Sequence, residues 1–251
     1  MIAALHQPNF LPYLGFFDKM KKADLFVIRD EVLFVRKEYH QRNKIRINSN
    51  DNLNHPQSKW LKVPVFEQED YIMNIGIDNR FLAGGKPWRE NMLHEVKASY
   101  HGSIYFSEYF QGFSDIISGV DAGLLSLNMK LIDFLRTKFD IDTKIVLASK
   151  LGLKDAHYQK TDASLDIIDI CKEVGAKTYL SGIGGKDYLD LKRFEEEGIK
   201  VDFQEYVHPT YKQRYPGFVS YMCALDALFN VGRFPEVRDD NNNRRDPAGK
   251  A

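Results

Sequence analysis

Ile2-Ala3-Ala4-Leu5-His6-Gln7-Pro8-Asn9-Phe10-Leu11-Pro12-Tyr13-Leu14-Gly15-Phe16-Phe17-Asp18-Lys19-Met20 is the stretch from which the rest of the chain can be read. Ile2 to Leu5 is a short apolar run, and Leu11, Leu14, Phe16, Phe17 and Met20 then recur at helical spacing, so the reading is strand, turn, helix. Pro8 and Pro12 remove two backbone donors and fix φ in the connection, which projects His6, Gln7 and Asn9 from a stiff loop beyond the strand's carboxyl end. Open α/β sheets bind ligands at that edge. Taken singly, Gln7 and Asn9 read equally well as helix caps and His6 as a satisfied buried histidine; the three together read as a site.

The same alternation recurs downstream. Leu25 to Ile28 is a second strand, and Asp30 at its end lies beside the His6 turn if the two strands are parallel neighbours of a right-handed β-α-β unit. Between Phe34 and Asp78 the pattern shifts to short alternating segments, Lys44 to Ile47, Trp60 to Val65 and Ile72 to Ile77, separated by turn residues; these predict antiparallel hairpins. Ser49 to Ser58 reads as a polar surface loop. Helical periodicity covers Trp88 to Tyr100, Phe106 to Ile117 and Leu124 to Phe139. Ile145 to Ala148, Thr178 to Leu180 and Val201 to Phe203 resume the strands, with a helix between the first two, capped by Thr161 or Asp162 and ended by Gly175. Ser220 to Phe229 closes the fold as an apolar helix, and Asp226 within it reads as a structural carboxylate. The expected class is α/β: a Rossmann-like, mainly parallel sheet with an inserted antiparallel β region and a helical block. One domain is expected over 1–237, with the insertion at 33–140 and a disordered tail at 238–251.

Composition bounds the partners. The chain has 251 residues, 43% of them hydrophobic, enough for a sizeable core, and its 35 Lys plus Arg balance 35 Asp plus Glu, which gives no global electrostatic reason to expect nucleic acid. Two cysteines form no disulfide framework and show no zinc-ligand spacing; Cys171 and Cys223 read as core. No signal peptide or apolar run of about 20 residues is seen, so no membrane insertion and a cytoplasmic setting are expected. No metal site is expected, because His and Asp never fall at ligand spacing.

Two further clusters carry chemistry. Tyr179-Leu180-Ser181-Gly182-Ile183-Gly184-Gly185-Lys186-Asp187-Tyr188 is a strand followed by a glycine-rich turn, which can expose backbone N–H groups to an anion or serve only as a turn. It matches neither the dinucleotide fingerprint nor a P-loop. Tyr206-Val207-His208-Pro209-Thr210-Tyr211-Lys212-Gln213-Arg214-Tyr215 follows the last strand, and its histidine, aromatics and cations could clamp a sugar or base, or simply cover the sheet end.

Taken in order, these clusters, with Asp24 to Asp30, Gln41-Arg42-Asn43, Trp60-Leu61-Lys62-Val63-Pro64-Val65 and His208-Pro209 through Gln213, resemble the WbqC-like proteins of O-antigen and other surface-polysaccharide gene clusters over about residues 2 to 233. The asparagine-rich loop after Arg46 is longer than the turn of the family pattern. The resemblance implies a role in attaching glycine or a similar aminoacyl or acyl group to the amine of a nucleotide-linked amino sugar. The donor expected is an activated co-substrate, a carrier-protein thioester, a coenzyme A thioester or an aminoacyl-tRNA, with no tightly bound cofactor.

Such a reaction needs a base for the attacking amine and donors for a tetrahedral oxyanion. His6 is the first candidate base and His208 the second, with Asp30 to orient a histidine or the amine. N–H groups around Ser181, Gly182 and Gly184, with Asn9 or Gln7, are the expected oxyanion donors, and Arg42 with Lys186 the expected diphosphate contacts. Asn43, Gly185, Tyr188, Tyr211 and Gln213 complete the substrate-binding candidates. Two other readings stand beside this one: an ATP-dependent nucleotidyl or adenylate-forming enzyme, whose opening motif would require a second histidine that Tyr13 to Phe16 lacks, and a non-catalytic sugar-nucleotide-binding protein.

Overall fold

The computed structural model describes residues 1–48, 57–66, 68–153 and 162–236. In chain order it runs β1 (Ile2–His6), α1 (Leu14–Lys21), β2 (Leu25–Ile28), β3 (Arg42–Ile47), β4 (Gln57–Lys62), β5 (Leu82–Ala83) and β6 (Lys86–Pro87). Then follow α2 (Trp88–Tyr100), α3 (Phe106–Ser118), α4 (Leu124–Lys138), β7 (Lys144–Leu147), α5 (Ala163–Glu173), β8 (Thr178–Ser181), α6 (Leu191–Glu196), β9 (Lys200–Phe203) and α7 (Ala224–Val231).

Five strands form one sheet in the order β7-β2-β1-β8-β9, with every adjacent pair parallel. The fold is therefore α/β, with a small antiparallel β3-β4 sheet and the helical block α2 to α4 between β2 and β7. Strand alternation explains why helices cover both faces. Ala3, Leu5, Leu25, Val27 and Tyr179 point to one side and pack with Ile167, Ile170, Cys171 and Phe194 of α5 and α6. Ala4, Phe26, Ile28 and Leu180 point to the other and join Phe16, Phe17, Leu131 and Leu228 of α1, α4 and α7. Near-continuous apolar strands are what a sheet buried on both faces requires.

Strand order also locates a switch point. From β1 the chain steps through α1 to β2 on one side, whereas β8 and then β9 are laid down on the other. The carboxyl ends of β1 and β8 therefore diverge into loops running in opposite directions, where open α/β sheets hold ligands.

One expected hairpin is absent. Ile72–Asn74 forms a 3₁₀ turn, and among the described residues the surrounding chain makes only single bridges, Leu33 to Tyr71, Val65 to Ile77 and Gly76 to Gly123. The N–H groups of Ile72 and Met73 donate to Val32 and Asp30 carbonyls instead of to a ladder, so the apolar run is anchored to the loop after β2. Asp162 caps α5 by accepting from the Ser164 N–H at 2.9 Å, and Gly175 follows the helix at φ 70°. The alternative cap Thr161, the loop residues 49–56 and the tail 238–251 lie outside the described residues.

Candidate functional site

The turn after β1 is held from four directions. The His6 ring donates through Nδ1 to the Gln7 carbonyl at 3.0 Å, and the same carbonyl accepts the Asn9 N–H at 2.9 Å. Asn128 of α4 donates to the Pro8 carbonyl at 2.7 Å and to the His40 carbonyl at 2.8 Å. Asn43 of β3 donates to the Leu11 carbonyl at 2.6 Å, beside a buried Leu11 held at φ 44°, a conformation costly for a leucine. From the far end of the chain, Ala224 donates its N–H to the Pro12 carbonyl at 2.8 Å. The two prolines cannot supply backbone donors here, and side chains from other elements take over the anchoring.

After β8 the Gly182 to Gly185 turn closes against the sheet. A Cβ on Gly185 would lie 2.1 Å from Ser181 Oγ, so close packing demands glycine there. Gly182 and Gly184 are different: neither has a positive φ, and a Cβ at either would meet nothing within 4 Å. The protein itself makes no demand for glycine at these two positions, and the space above them is open.

Both turns border one cavity of about 390 Å³, which lies at the switch point. His6, Gln7, Gly182, Gly184, Gly185 and Tyr188 all line it, together with Tyr13, Gly15, Lys19, Arg29, Tyr179 and Gln204. No carboxylate is found among the described residues that line it. Burial, the nearby Lys19 and His40 hold the His6 pKa down at about 3, against the Gln7 carbonyl, which raises it. His6 is therefore a neutral imidazole with its proton on Nδ1 and its lone pair on Nε2, for which the described residues supply no hydrogen-bond partner. Gln7 is held by His40, whose Nε2–H donates to Gln7 Oε1 at 2.8 Å.

Four lining groups were not among the expected site residues. Lys19 reads as a surface lysine of α1 but is only 4% exposed, donating from Nζ to the Leu5 carbonyl at 2.8 Å. Arg29 pairs with Glu31 and reaches Asp166 at 3.8 Å. Gln204 donates to the Gly15 carbonyl at 2.9 Å and to Asp18 at 2.7 Å, and Tyr179 is a buried β8 residue 5.9 Å from the Lys19 amine. The one available signal for Lys19 was its position one turn beyond Gly15 and Phe16, on the buried side of a short helix.

The remaining expected site residues lie elsewhere. Asp30 is fully buried and accepts from Ser149, at 3.0 Å from the N–H and 2.6 Å from Oγ, so it ties β2 to the end of β7 rather than orienting a histidine. His208 has both ring nitrogens engaged by nearby backbone, donating to Pro209 O at 2.9 Å and accepting from Tyr221 N–H at 3.1 Å, which leaves no lone pair for a base. Tyr211 and Gln213 donate to the buried Asp226 carboxylate, each at 2.9 Å, and Tyr100 does the same at 2.9 Å. Asp226 is thus structural, as expected. Arg42 stacks over Trp60 at 4.4 Å and bonds the Lys37 carbonyl, and Asn43 serves the turn from behind. Lys186 lies over the Phe203 ring at 5.2 Å, Ser181 donates to the Gly182 carbonyl at 3.1 Å, and Asn9 is 7% exposed. Cys171 and Cys223 are buried, and burial pushes both thiols up to about 12.

A larger cleft of about 840 Å³ runs between β4 and α2, walled by Trp60, Trp88, Phe81 and Met92. No histidine is found among the described residues that line it, and its cations Arg36, Lys59 and Lys62 share the wall with Asp78 and Glu95, Lys59 pairing with Glu95 at 2.6 Å. Among the described residues no cluster suits a metal ion, and no helix is long and apolar enough to cross a membrane.

No solved structure matches the chain. An uncharacterized protein of Mycobacterium tuberculosis, Rv1507c, is 25% identical over 231 residues, which span 91% of this chain and 93% of that protein. The glycine turn, the His6 turn and the elements that brace them all fall within, or within one residue of, the segment 7–235 that matches the model of the WbqC-like protein family, and the chain belongs to that family.

Proposed function

We propose that the cavity binds a nucleotide-linked amino sugar and that the protein transfers an acyl or aminoacyl group to its amine. The observation that carries this reading is the lining itself: the Arg29 guanidinium, the buried Lys19 amine and a neutral imidazole, with no carboxylate among the described residues that line the cavity. A diphosphate linkage needs cations, and an attacking amine needs a hydrogen-bond acceptor that is not protonated.

His6 Nε2 is that acceptor. At a pKa of about 3 it is too weak a base to remove a proton from an amine near neutrality, so its part is to hold the amine by an N–H···N bond with the nitrogen lone pair turned toward the acyl carbon. Arg29 faces the diphosphate, and the open space above Gly182 and Gly184 admits the ligand against the backbone. Tyr13 and Tyr188 offer ring faces to the sugar or base.

The test is a panel of nucleotide-diphosphate amino sugars, each offered with coenzyme A thioesters, carrier-protein thioesters or aminoacyl-tRNA and read by product mass. Acylated sugar nucleotide is the expected product. A ligand at about 100 times its Kd should add about 2.7 kcal/mol of stability, so thermal shift reports binding separately. Stabilisation by ATP alone, with pyrophosphate released when a carboxylic acid is added, would replace this reading with adenylate formation. Binding of the sugar nucleotide without turnover on any donor would leave a binding protein.

A further inference from the structure

We propose that Lys19 is the general base that takes the proton from the attacking amine; this role rests on the acyl-transfer reading. The geometry is that of an amine built into the cavity wall. Lys19 is 4% exposed, lines the cavity with His6, and makes its described hydrogen bond to a neutral acceptor, the Leu5 carbonyl, at 2.8 Å. No carboxylate among the described residues lies within ion-pair distance of it. The nearest acid in sequence, Asp18, is engaged by Lys22 at 2.9 Å and by Gln204 at 2.7 Å.

The titratable or charged groups facing the same space are His6 from β1, Tyr13 from the turn, Arg29 after β2, Tyr179 from β8 and Tyr188 after the glycine turn. All are neutral or cationic near neutral pH, so each either leaves the Lys19 amine alone or favours its uncharged form. Burial brings its pKa down to about 7, and a base is most effective when its pKa lies near the working pH.

The step balances without any further reagent beyond the thioester named above. The sugar nitrogen adds to the thioester carbonyl carbon, a C–N bond forms, and the carbonyl oxygen becomes the oxyanion. The Lys19 Nζ lone pair accepts the proton that nitrogen sheds. On collapse the C–S bond breaks, and the departing sulfur takes that proton, returning Lys19 to the free amine. Attack by Lys19 itself on the thioester would end in a stable amide, which rules against a covalent role.

Two measurements on the full chain decide the matter. Competitive acetylation with trace acetic anhydride, followed peptide by peptide from about pH 5 to about pH 10, needs no substrate and reads the reactive fraction of each lysine. Lys19 is expected to titrate near neutrality; titration with the surface lysines near about 10.4 would overturn the role. Lys19→Arg keeps the cation but cannot release its proton, and Lys19→Met serves if arginine does not fit. With either variant kcat should fall by about 10²-fold or more and the acid limb of the pH profile should vanish, while the thermal shift with sugar nucleotide persists. Loss of that shift with turnover per bound ligand intact would make Lys19 an anion holder and overturn the role. Failure of the wild type with every donor would sink the acyl-transfer reading and this role with it; failure confined to the Lys19 measurements would sink the role alone.

Discussion

His40 donates its Nε2–H to Gln7 Oε1 at 2.8 Å, and through this bond the region between β2 and β7 reaches into the wall of the cavity. The other ring nitrogen accepts the Val35 N–H at 3.2 Å, so both edges of a fully buried imidazole are satisfied. His40→Ala removes two hydrogen bonds and leaves the Val35 donor without a partner. A loss of about 1–3 kcal/mol is expected in urea titration, with a rise in KM because Gln7 is no longer fixed. A variant that loses stability with KM unchanged would show that Gln7 does not touch the ligand.

Acid should weaken the fold through two histidines. His6 and His40 are held neutral by burial, with pKa values of about 3 and about 4, whereas in the unfolded chain both protonate near about 6.5. Between those limits the unfolded state binds more protons, so their contribution is present above about pH 6.5 and is lost as the pH falls toward about 4. The loss is on the order of 3 kcal/mol for each histidine by about pH 4. Comparing wild type with His40→Gln between about pH 7 and about pH 4.5 isolates one share: the variant's stability curve should be the flatter.

Lys19 extends the same dependence to the alkaline side. Its folded pKa of about 7 lies below the unfolded value of about 10.4, so the unfolded chain binds more protons between them and stability rises with pH across that window. Lys19→Met should therefore stabilise the protein by a few kcal/mol near about pH 6, with the gain shrinking toward about pH 10. Equal stabilisation at both ends would mean that the lysine binds its proton equally in the folded and unfolded chain, with no lowering of its pKa on folding.

The glycine turn offers a matched set. Gly182→Ala and Gly184→Ala place a Cβ in open space, so stability should hold or rise by about 0.4–1 kcal/mol. If the ligand occupies that space, the thermal shift produced by the sugar nucleotide should shrink in both. Gly185→Ala meets Ser181 Oγ at 2.1 Å and should cost about 1–3 kcal/mol with or without ligand.

Asp226 joins three parts of the molecule, accepting from Tyr100 of α2 and from Tyr211 and Gln213 in the loop after β9 while it sits on α7. Burial raises its pKa, and these donors with Arg46 oppose that rise. Asp226→Asn turns one acceptor into a donor facing donors. It should destabilise by about 3–5 kcal/mol, while Tyr211→Phe, which removes a single bond, should cost about 1 kcal/mol.

Most of this frame was legible in the sequence because burial and periodicity coincide. Leu25 to Ile28 is a strand with the bounds its apolar run suggests, and α2, α3 and α4 begin where the periodicity places them. The His6 and glycine turns were legible as a pair because both follow apolar strands, and parallel strands put such turns on one edge. His208 misled for a local reason: its ring is satisfied by the backbone of Pro209 and Tyr221, and nothing in the residue types reports where those groups point. Tyr211 and Gln213 looked like ligand contacts because the sequence does not reveal that Asp226, a turn and a helix away, is their acceptor. Ile72 to Ile77 has the composition of a strand, but its N–H groups found carbonyls in the loop after β2 first. Lys19 and Arg29 escaped notice because a lysine on a helix and an arginine after a strand are ordinarily solvated, and only the packed sheet decides otherwise.

The central position of β1 has a consequence for how the protein must be made. Ala4 of β1 pairs with Leu180 of β8, and the turn after β1 is fastened by Ala224 at the start of α7. While the ribosome is still synthesising the second half of the chain, β1 has β2 on one side and a bare hydrogen-bonding edge on the other. That edge stays available to other nascent chains until β8 emerges, and the turn after β1 is not fastened until α7 does. Truncation before residue 224 should therefore yield aggregate rather than a smaller folded protein.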